Sequence, residues 1–118
     1  MKIWFVFLGG GLGSLARFGF QYYLPNASNF SIPTLSANIL SCLILGYLAG
    51  LKMRANLSDS SYLILATGFC GGFTTFSTFS LENIQFIQNQ NYNLALLYTI
   101  SSIFIGFIGV LIGFKLFN

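Results

Sequence analysis

Four long apolar segments, joined by short polar stretches, make up nearly the whole chain. They extend over about residues 3–23, 33–51, 62–88 and 94–117. A helix needs roughly 20 mostly apolar residues to cross a bilayer, and each segment is close to that length or longer. The pattern therefore predicts an all-α membrane protein, a single transmembrane domain over residues 1–118 with four transmembrane helices.

The connecting stretches carry polar and helix-breaking residues. Residues 24–32 form a polar loop, and Pro33 then suits the first turn of the second helix, where its missing N–H costs nothing. The loop residues in question are Pro25, Asn26, Ser28, Asn29 and Ser31. A secretory signal peptide is the competing interpretation of the first segment, but its apolar core is short and the aromatic-rich residues 18–23 continue the span.

The third segment contains a glycine-rich stretch that a plain helix would not need. Over residues 68–80 the sequence is GFCGGFTTFSTFS. Gly71 and Gly72 predict that the helix is broken near residues 71–75, and Thr74 or Thr75 can cap the half-helix that follows. Non-helical backbone at membrane depth is tolerated where protein or a polar cavity covers it, and its carbonyls become candidate ligands for a small cation. One face of the second half-helix carries Phe76, Phe79, Asn83 and Phe86.

Composition excludes most soluble functions. The 118 residues are 55% hydrophobic and 6% charged, against about a quarter charged in soluble domains. The chain has no histidine, so imidazole cannot serve as a general base or a metal ligand. Five lysines and arginines are too few for a nucleic-acid interface, and no nucleic-acid partner is expected. Cys42 and Cys70 lie within predicted spans, where free thiols act as small hydrophobic groups.

The positive charges are concentrated on one side of the predicted topology. Lys2, Lys52, Arg54 and Lys115 fall on the side shared by both termini, and the opposite loops carry none. Because cytoplasmic loops are enriched in lysine and arginine, this distribution predicts that both termini lie in the cytoplasm. Four helices cannot enclose a polar pore without exposing it to lipid, so transport would require a dimer or a larger assembly.

Three motifs resemble one known family. They are GGGLGSLARF at residues 9–18, TLSANILSCLILGYL at 34–48 and GFCGGFTTFSTFSLE at 68–82. Together they are similar to the small bacterial fluoride channel family known as Fluc or CrcB, and they cover three of the four segments. The resemblance implies a fluoride-specific channel, and not an enzyme, in the bacterial plasma (inner) membrane. Such a channel lets fluoride leave the cytoplasm passively and reduces its toxicity.

The resemblance also implies an anion pathway. From the residues alone, an interhelical hydrogen bond accounts for Asn38, and ordinary packing accounts for the pair Phe76 and Phe79. The family motifs imply instead that these side chains line a pore, where amide N–H groups and the positive edges of phenyl rings attract an anion without a formal charge. The resemblance further implies a hydroxyl track between the rings and, after it, a pore contact with a tyrosine of the fourth segment. The implied pathway residues are Asn38, Phe76, Ser77, Thr78, Phe79 and Tyr98.

A structural sodium ion belongs to the same resemblance. It implies an ion at the centre of a dimer, held by main-chain carbonyls of the helix break at Gly71 and Thr74, and not transported. The resemblance further implies an antiparallel dimer of the dual-topology type, taken here first as a homodimer. The one-sided charge distribution departs from that pattern and keeps a heterodimer with a paralogue as the alternative.

Two charged residues fall within the predicted spans. Arg17 lies about six residues from the end of the first segment, so its side chain can reach the interface as a structural or electrostatic anchor; direct contact with the ion is the alternative. Glu82 is expected to accept a hydrogen bond from Thr78, four residues earlier. Its alternative role is that of the carboxylate of a proton-coupled transporter.

Two other functions compete with the channel. One is a proton-coupled small multidrug antiporter, but such antiporters place their essential glutamate in the first segment, where this chain has none. The other is a non-transporting assembly subunit of a membrane complex. The glycine-rich third segment and its TTFSTFS run favour the channel.

Overall fold

The computed structural model describes residues 2–24 and 32–116, and the described chain is helical. Helix α1 extends over Lys2–Tyr23, α2 over Ile32–Met53 and the last helix, α6, over Tyr92–Lys115. With the interrupted third span, Asp59–Gln88, the described part has four helical spans long and apolar enough to cross a membrane, which confirms that prediction. The predicted first loop, residues 24–32, lies outside the described residues except at its two ends, and so does Phe117.

The third span is built from four helical pieces. Helix α3 (Asp59–Tyr62) leads into a π-helix (Leu63–Cys70), which continues into α4 (Gly71–Phe73), and α5 (Phe76–Gln88) follows after a gap. Ser58 caps α3, because its side chain accepts a hydrogen bond from the Ser61 N–H. The span therefore begins at Asp59, three residues before the predicted start at Tyr62, within the polar run Ser58-Asp59-Ser60-Ser61.

The helix break lies at Thr74 and Thr75, and not at the two glycines. Thr74 has φ −81° and ψ 159°, and Thr75 has φ −152° and ψ 120°, so both residues are extended. Gly71 keeps helical dihedrals of −61° and −38°. A Cβ on Gly72 would lie 2.4 Å from the Gly10 carbonyl oxygen. The prediction that the glycines interrupt the helix is therefore wrong in its detail, since Gly72 serves the close approach of α1.

Glycines bring α1 against the first half of the third span. A Cβ on Gly9 would lie 2.1 Å from the Ile64 carbonyl oxygen, and one on Gly13 would lie 2.1 Å from that of Phe69. Small residues four positions apart on a helix let two backbones come within such distances. The first span and the π-helix therefore form one tightly packed unit.

A second glycine-based contact joins α2 to α6. A Cβ on Gly46 would lie 2.1 Å from the Val110 carbonyl oxygen, and one on Gly113 would lie 2.1 Å from that of Leu43. These two backbones also meet in van der Waals contact, and α2 packs more extensively on α6 than on any other element. The two glycine-packed pairs of helices form the scaffold of the chain.

Helix α5 is the exception in this scaffold. None of its residues from Phe76 to Gln88 is buried, although the helix belongs to the third span. The largest fully buried side chains elsewhere are those of Tyr98 and Phe73. Because α5 gains little from apolar burial within the chain, its position depends on a few specific contacts, most of them polar.

We expect Gly13→Ala to destabilise the chain and Gly11→Ala to leave it intact. The new methyl group at position 13 would meet the Phe69 carbonyl, whereas nothing lies within 4 Å of a Cβ at position 11. Overpacking of this kind costs about 1–3 kcal/mol. The free energy of unfolding in detergent micelles would measure both variants, and equal stability of the two would contradict the proposed close contact.

Candidate functional site

Asn38 is placed directly at the helix break. Its Oδ1 atom accepts a hydrogen bond from the Thr75 backbone N–H at 3.3 Å, across from α2 to the third span. In a continuous helix that N–H would bond to the carbonyl of Gly71. Since Oδ1 is used in this way, the Nδ2 group with its two N–H donors is the part of the amide that can meet a ligand.

A cavity of about 310 Å³ lies beside the break. It brings together Asn38 of α2, both phenyl rings at the start of α5 and one turn of α6. No charged side chain is among its lining residues in the described part of the chain. Three of the predicted pathway residues, Asn38, Phe76 and Phe79, therefore share one cavity. The polar groups beside them come from Thr74, Thr75 and Ser102.

The aromatic side chains form a continuous row. The ring centroids of Phe76 and Phe79 are 5.9 Å apart, and those of Phe79 and Tyr98 are 5.0 Å apart. Phe86 meets Tyr98 edge to face at 5.7 Å. Phe76 is 79% exposed in the single chain, whereas Tyr98 is fully buried. Tyr98 therefore lies behind Phe79 and is not among the residues that line the cavity.

Glu82 joins three helices. Its Oε2 atom accepts a hydrogen bond from the Thr34 hydroxyl at 3.0 Å, and its Oε1 atom accepts one from the Tyr98 hydroxyl at 2.8 Å. Thr34 in turn accepts from the Gln21 amide at 3.2 Å, which extends the network to α1. The prediction that Glu82 bonds to Thr78 is wrong, because the facing helices α2 and α6 supply the donors.

Ser77 and Thr78 cluster around the cap of α5. The Thr75 hydroxyl accepts from the Thr78 backbone N–H at 3.2 Å and contacts the hydroxyls of Ser77 and Thr78, each at 3.2 Å. Thr78 also lines an open groove with Arg17, Phe18 and Gln21 on the α1 side. Ser77 and Thr78 are not among the residues that line the cavity with the rings, but both contact Thr75, which does line it, and Arg17 lies beside Thr78 in the groove.

The carbonyls of Gly71 and Thr74 have lost their helical donors to side chains. The Thr75 N–H bonds to Asn38 instead of Gly71, and the Thr78 N–H bonds to the Thr75 hydroxyl instead of Thr74. Gly71 and Thr74 both line a second cavity of about 250 Å³. No cluster of three or more His, Cys, Asp or Glu side chains occurs among the described residues. The residues that line this cavity carry main-chain oxygens and the hydroxyl oxygens of Ser41, Thr67 and Thr74, and oxygen ligands suit hard cations.

Ser102 is the site residue that sequence reasoning missed. Its Oγ atom is buried and has no hydrogen-bond partner within residues 2–24 and 32–116. A buried hydroxyl without a partner costs about 1–3 kcal/mol, so such a group in a cavity is available to a ligand. The sequence spacing indicates that Ser102 shares a face of α6 with Tyr98 and Gly106, because the three follow one another at four-residue intervals.

The comparisons with known proteins cover almost the whole chain. The sequence model of the family described as CrcB-like protein, Camphor Resistance (CrcB) matches residues 4–114. A protein of Azobacteroides pseudotrichonymphae named fluoride-specific ion channel FluC is 42% identical over an alignment of 118 positions that covers 98% of this chain and 94% of that protein. A protein of Pyrococcus abyssi with the same name is 42% identical over 86% of this chain and 89% of its own length.

A third relative matches over nearly the full length of both chains. The protein of Rhodococcus jostii named fluoride-specific ion channel FluC 2 is 35% identical over 98% of either chain. With four membrane-spanning helices and a family match over nearly its full length, the chain is a multi-pass membrane protein. It belongs to the CrcB family, also called FluC, whose members are ion channels and not enzymes.

Proposed function

We propose that this chain forms a fluoride-specific channel that lets fluoride leave the cytoplasm passively across a bacterial plasma membrane. The names of its relatives support the choice of ion. The observation that carries the proposal is the uncharged cavity in which Asn38, Phe76 and Phe79 meet beside the helix break. The direction of net flux is then set by the fluoride gradient, and no energy source is required.

The chemistry of the cavity fits the transit of a small anion. The Asn38 amide and the Ser102 hydroxyl can donate hydrogen bonds to an anion, and the edges of Phe76 and Phe79 carry partial positive charge. A lysine or arginine at this point would hold an anion too tightly, whereas weak donors in series allow both entry and exit. Fluoride is smaller than chloride and a stronger hydrogen-bond acceptor, but it also holds water more strongly, so the donors along the path favour fluoride where they replace that water.

A second chain is required to complete the pathway. Phe76 is 79% exposed in the single chain, so a pathway along this ring lacks a wall on one side. An antiparallel dimer would supply that wall and would place two helix breaks next to each other. We take the homodimer first, with a heterodimer as the alternative that the one-sided charges of Lys2, Lys52, Arg54 and Lys115 support.

The helix break fits a structural sodium ion. Gly71 and Thr74 offer carbonyl oxygens whose helical donors are taken by other partners, and two copies related by a two-fold axis would offer four. Bound sodium would neutralise these dipoles and hold the two chains together. In this proposal the ion is not transported, and it contributes positive charge near the anion path.

The antiporter interpretation has less support. Both carboxylate oxygens of Glu82 accept hydrogen bonds, from Thr34 and Tyr98, and Glu82 is not among the residues that line the cavity. A carboxylate that exchanges protons for a substrate has to face the substrate path. The network instead fixes α5 against α2 and α6.

The proposed function predicts rapid fluoride efflux from liposomes that contain the purified protein, with no efflux of chloride. Phe76→Ile combined with Phe79→Ile should reduce fluoride efflux by at least about tenfold, because aliphatic groups lack a positive ring edge. Phe104→Ile is the matched control, since this ring is 63% exposed and does not line the cavity.

Absence of fluoride efflux from the protein alone would call for reconstitution with an oppositely biased paralogue. Absence of efflux there as well would refute the channel. Undiminished efflux in the doubly substituted variant would refute the aromatic pathway, whatever the wild-type rate.

Removal of sodium tests the structural ion. Replacing sodium on both sides of the liposome membrane by N-methyl-D-glucamine should abolish fluoride efflux, because this large cation cannot fit between carbonyl oxygens. Returning sodium should restore it. Efflux that continues undiminished without sodium would contradict the proposed site at Gly71 and Thr74.

A further inference from the structure

Helix α5 carries both phenyl rings of the cavity but has no buried residue of its own. Apolar packing within the chain therefore does little to fix its rotation about the helix axis. A small rotation would move Phe79 away from the Asn38 amide. The contacts that prevent such a rotation determine the shape of the proposed anion path.

Asn83 bridges the turn of Phe79 to α6. Its Nδ2 group donates a hydrogen bond to the Phe79 carbonyl oxygen at 3.2 Å, and its Oδ1 atom accepts one from the Thr99 hydroxyl at 3.2 Å. A carbonyl can only accept, so the bond to Phe79 fixes which end of the amide faces Thr99. The two bonds together connect the backbone at Phe79 to the neighbouring helix.

The same turn of α6 also supports the ring of Phe79. Tyr98, the residue before Thr99, packs its ring against Phe79 with centroids 5.0 Å apart. Thr99 thus holds the main chain of Phe79 through Asn83 while Tyr98 holds its side chain. Neither Asn83 nor Thr99 is among the residues that line the cavity.

We propose that Asn83 and Thr99 are positioning residues that hold the Phe79 ring edge toward the anion path and so determine selectivity for fluoride over chloride. This inference rests on the proposed channel function and names the side chains that set its selectivity. Glu82 anchors α5 one residue earlier through its bonds to Thr34 and Tyr98, and Asn83 adds the bond to the Phe79 carbonyl.

The pair can be tested by substitutions that remove one hydrogen bond at a time. Thr99→Val keeps the shape of the side chain and removes the donor, and Asn83→Leu removes both bonds of the amide. Each should lower the ratio of fluoride to chloride efflux by about threefold or more. The loss of one average hydrogen bond between membrane helices changes an equilibrium constant by about that factor. Thr99→Ser keeps the hydroxyl and should retain the wild-type ratio.

The double variant shows whether the two residues act as one unit. Asn83→Leu with Thr99→Val should have no larger effect than Asn83→Leu alone, because both substitutions remove the same contact. Additive losses, an unchanged efflux ratio in the single variants, or a loss in Thr99→Ser equal to that in Thr99→Val would overturn the proposal.

A spectroscopic measurement separates this proposal from the channel function. With 4-fluorophenylalanine at position 79, the fluorine resonance should shift or broaden in Asn83→Leu and in Thr99→Val, whereas a probe at Phe69, in the π-helix, should remain unchanged. An unchanged resonance at position 79 would overturn the positioning role. If the wild-type protein conducts no fluoride either alone or together with an oppositely biased paralogue, the channel proposal fails, and this resonance alone decides whether Asn83 and Thr99 position Phe79.

Discussion

The hydrogen bond from the Thr75 backbone N–H to the Asn38 side chain is the interaction on which the arrangement of the site depends. A helix break within a membrane leaves backbone groups that have no water to bond to. Each unpaired group costs several kcal/mol in hydrocarbon, or about 1–3 kcal/mol where other polar groups compensate in part. Asn38 satisfies the N–H that the break leaves unpaired. The same bond leaves the Gly71 carbonyl without its helical donor. It also uses the oxygen of Asn38, so the amide N–H groups are the donors that Asn38 can offer in the cavity that it lines with the phenyl rings.

The remainder of the chain divides into a tightly packed scaffold and one loosely packed helix. Glycines at Gly9, Gly13, Gly46 and Gly113 bring backbones together at distances that leave no room for a methyl group. Helix α5 has no buried residue and is held by side-chain hydrogen bonds from α2 and α6 and by the ring of Tyr98. The tightly packed scaffold, together with the hydrogen bonds that hold α5, positions the phenyl rings without a large apolar core around them.

Hydrophobic patterning was sufficient to predict the four spans. A helix that crosses a bilayer must be long and apolar, and almost the whole chain consists of such segments. The break was predicted near residues 71–75, but the glycines are helical and the threonines are extended, since Gly72 is needed for contact with Gly10. The partners of Glu82 could not be predicted from local spacing, because they depend on how α2, α5 and α6 face one another. For Ser102, the spacing indicated the face of α6 that it shares with Tyr98 and Gly106, but not that its hydroxyl is buried without a partner.

The central claim is that Asn38 holds the break with its oxygen and meets the anion with its N–H groups. Fluoride efflux through Asn38→Asp, measured above neutral pH beside Asn38→Leu, tests it most directly. Aspartate keeps an acceptor for the Thr75 N–H but replaces the donors with a second oxygen that repels an anion. We predict that Asn38→Asp folds as stably as the wild type and loses fluoride efflux, whereas Asn38→Leu loses both stability and efflux. Wild-type efflux through Asn38→Asp would contradict the account.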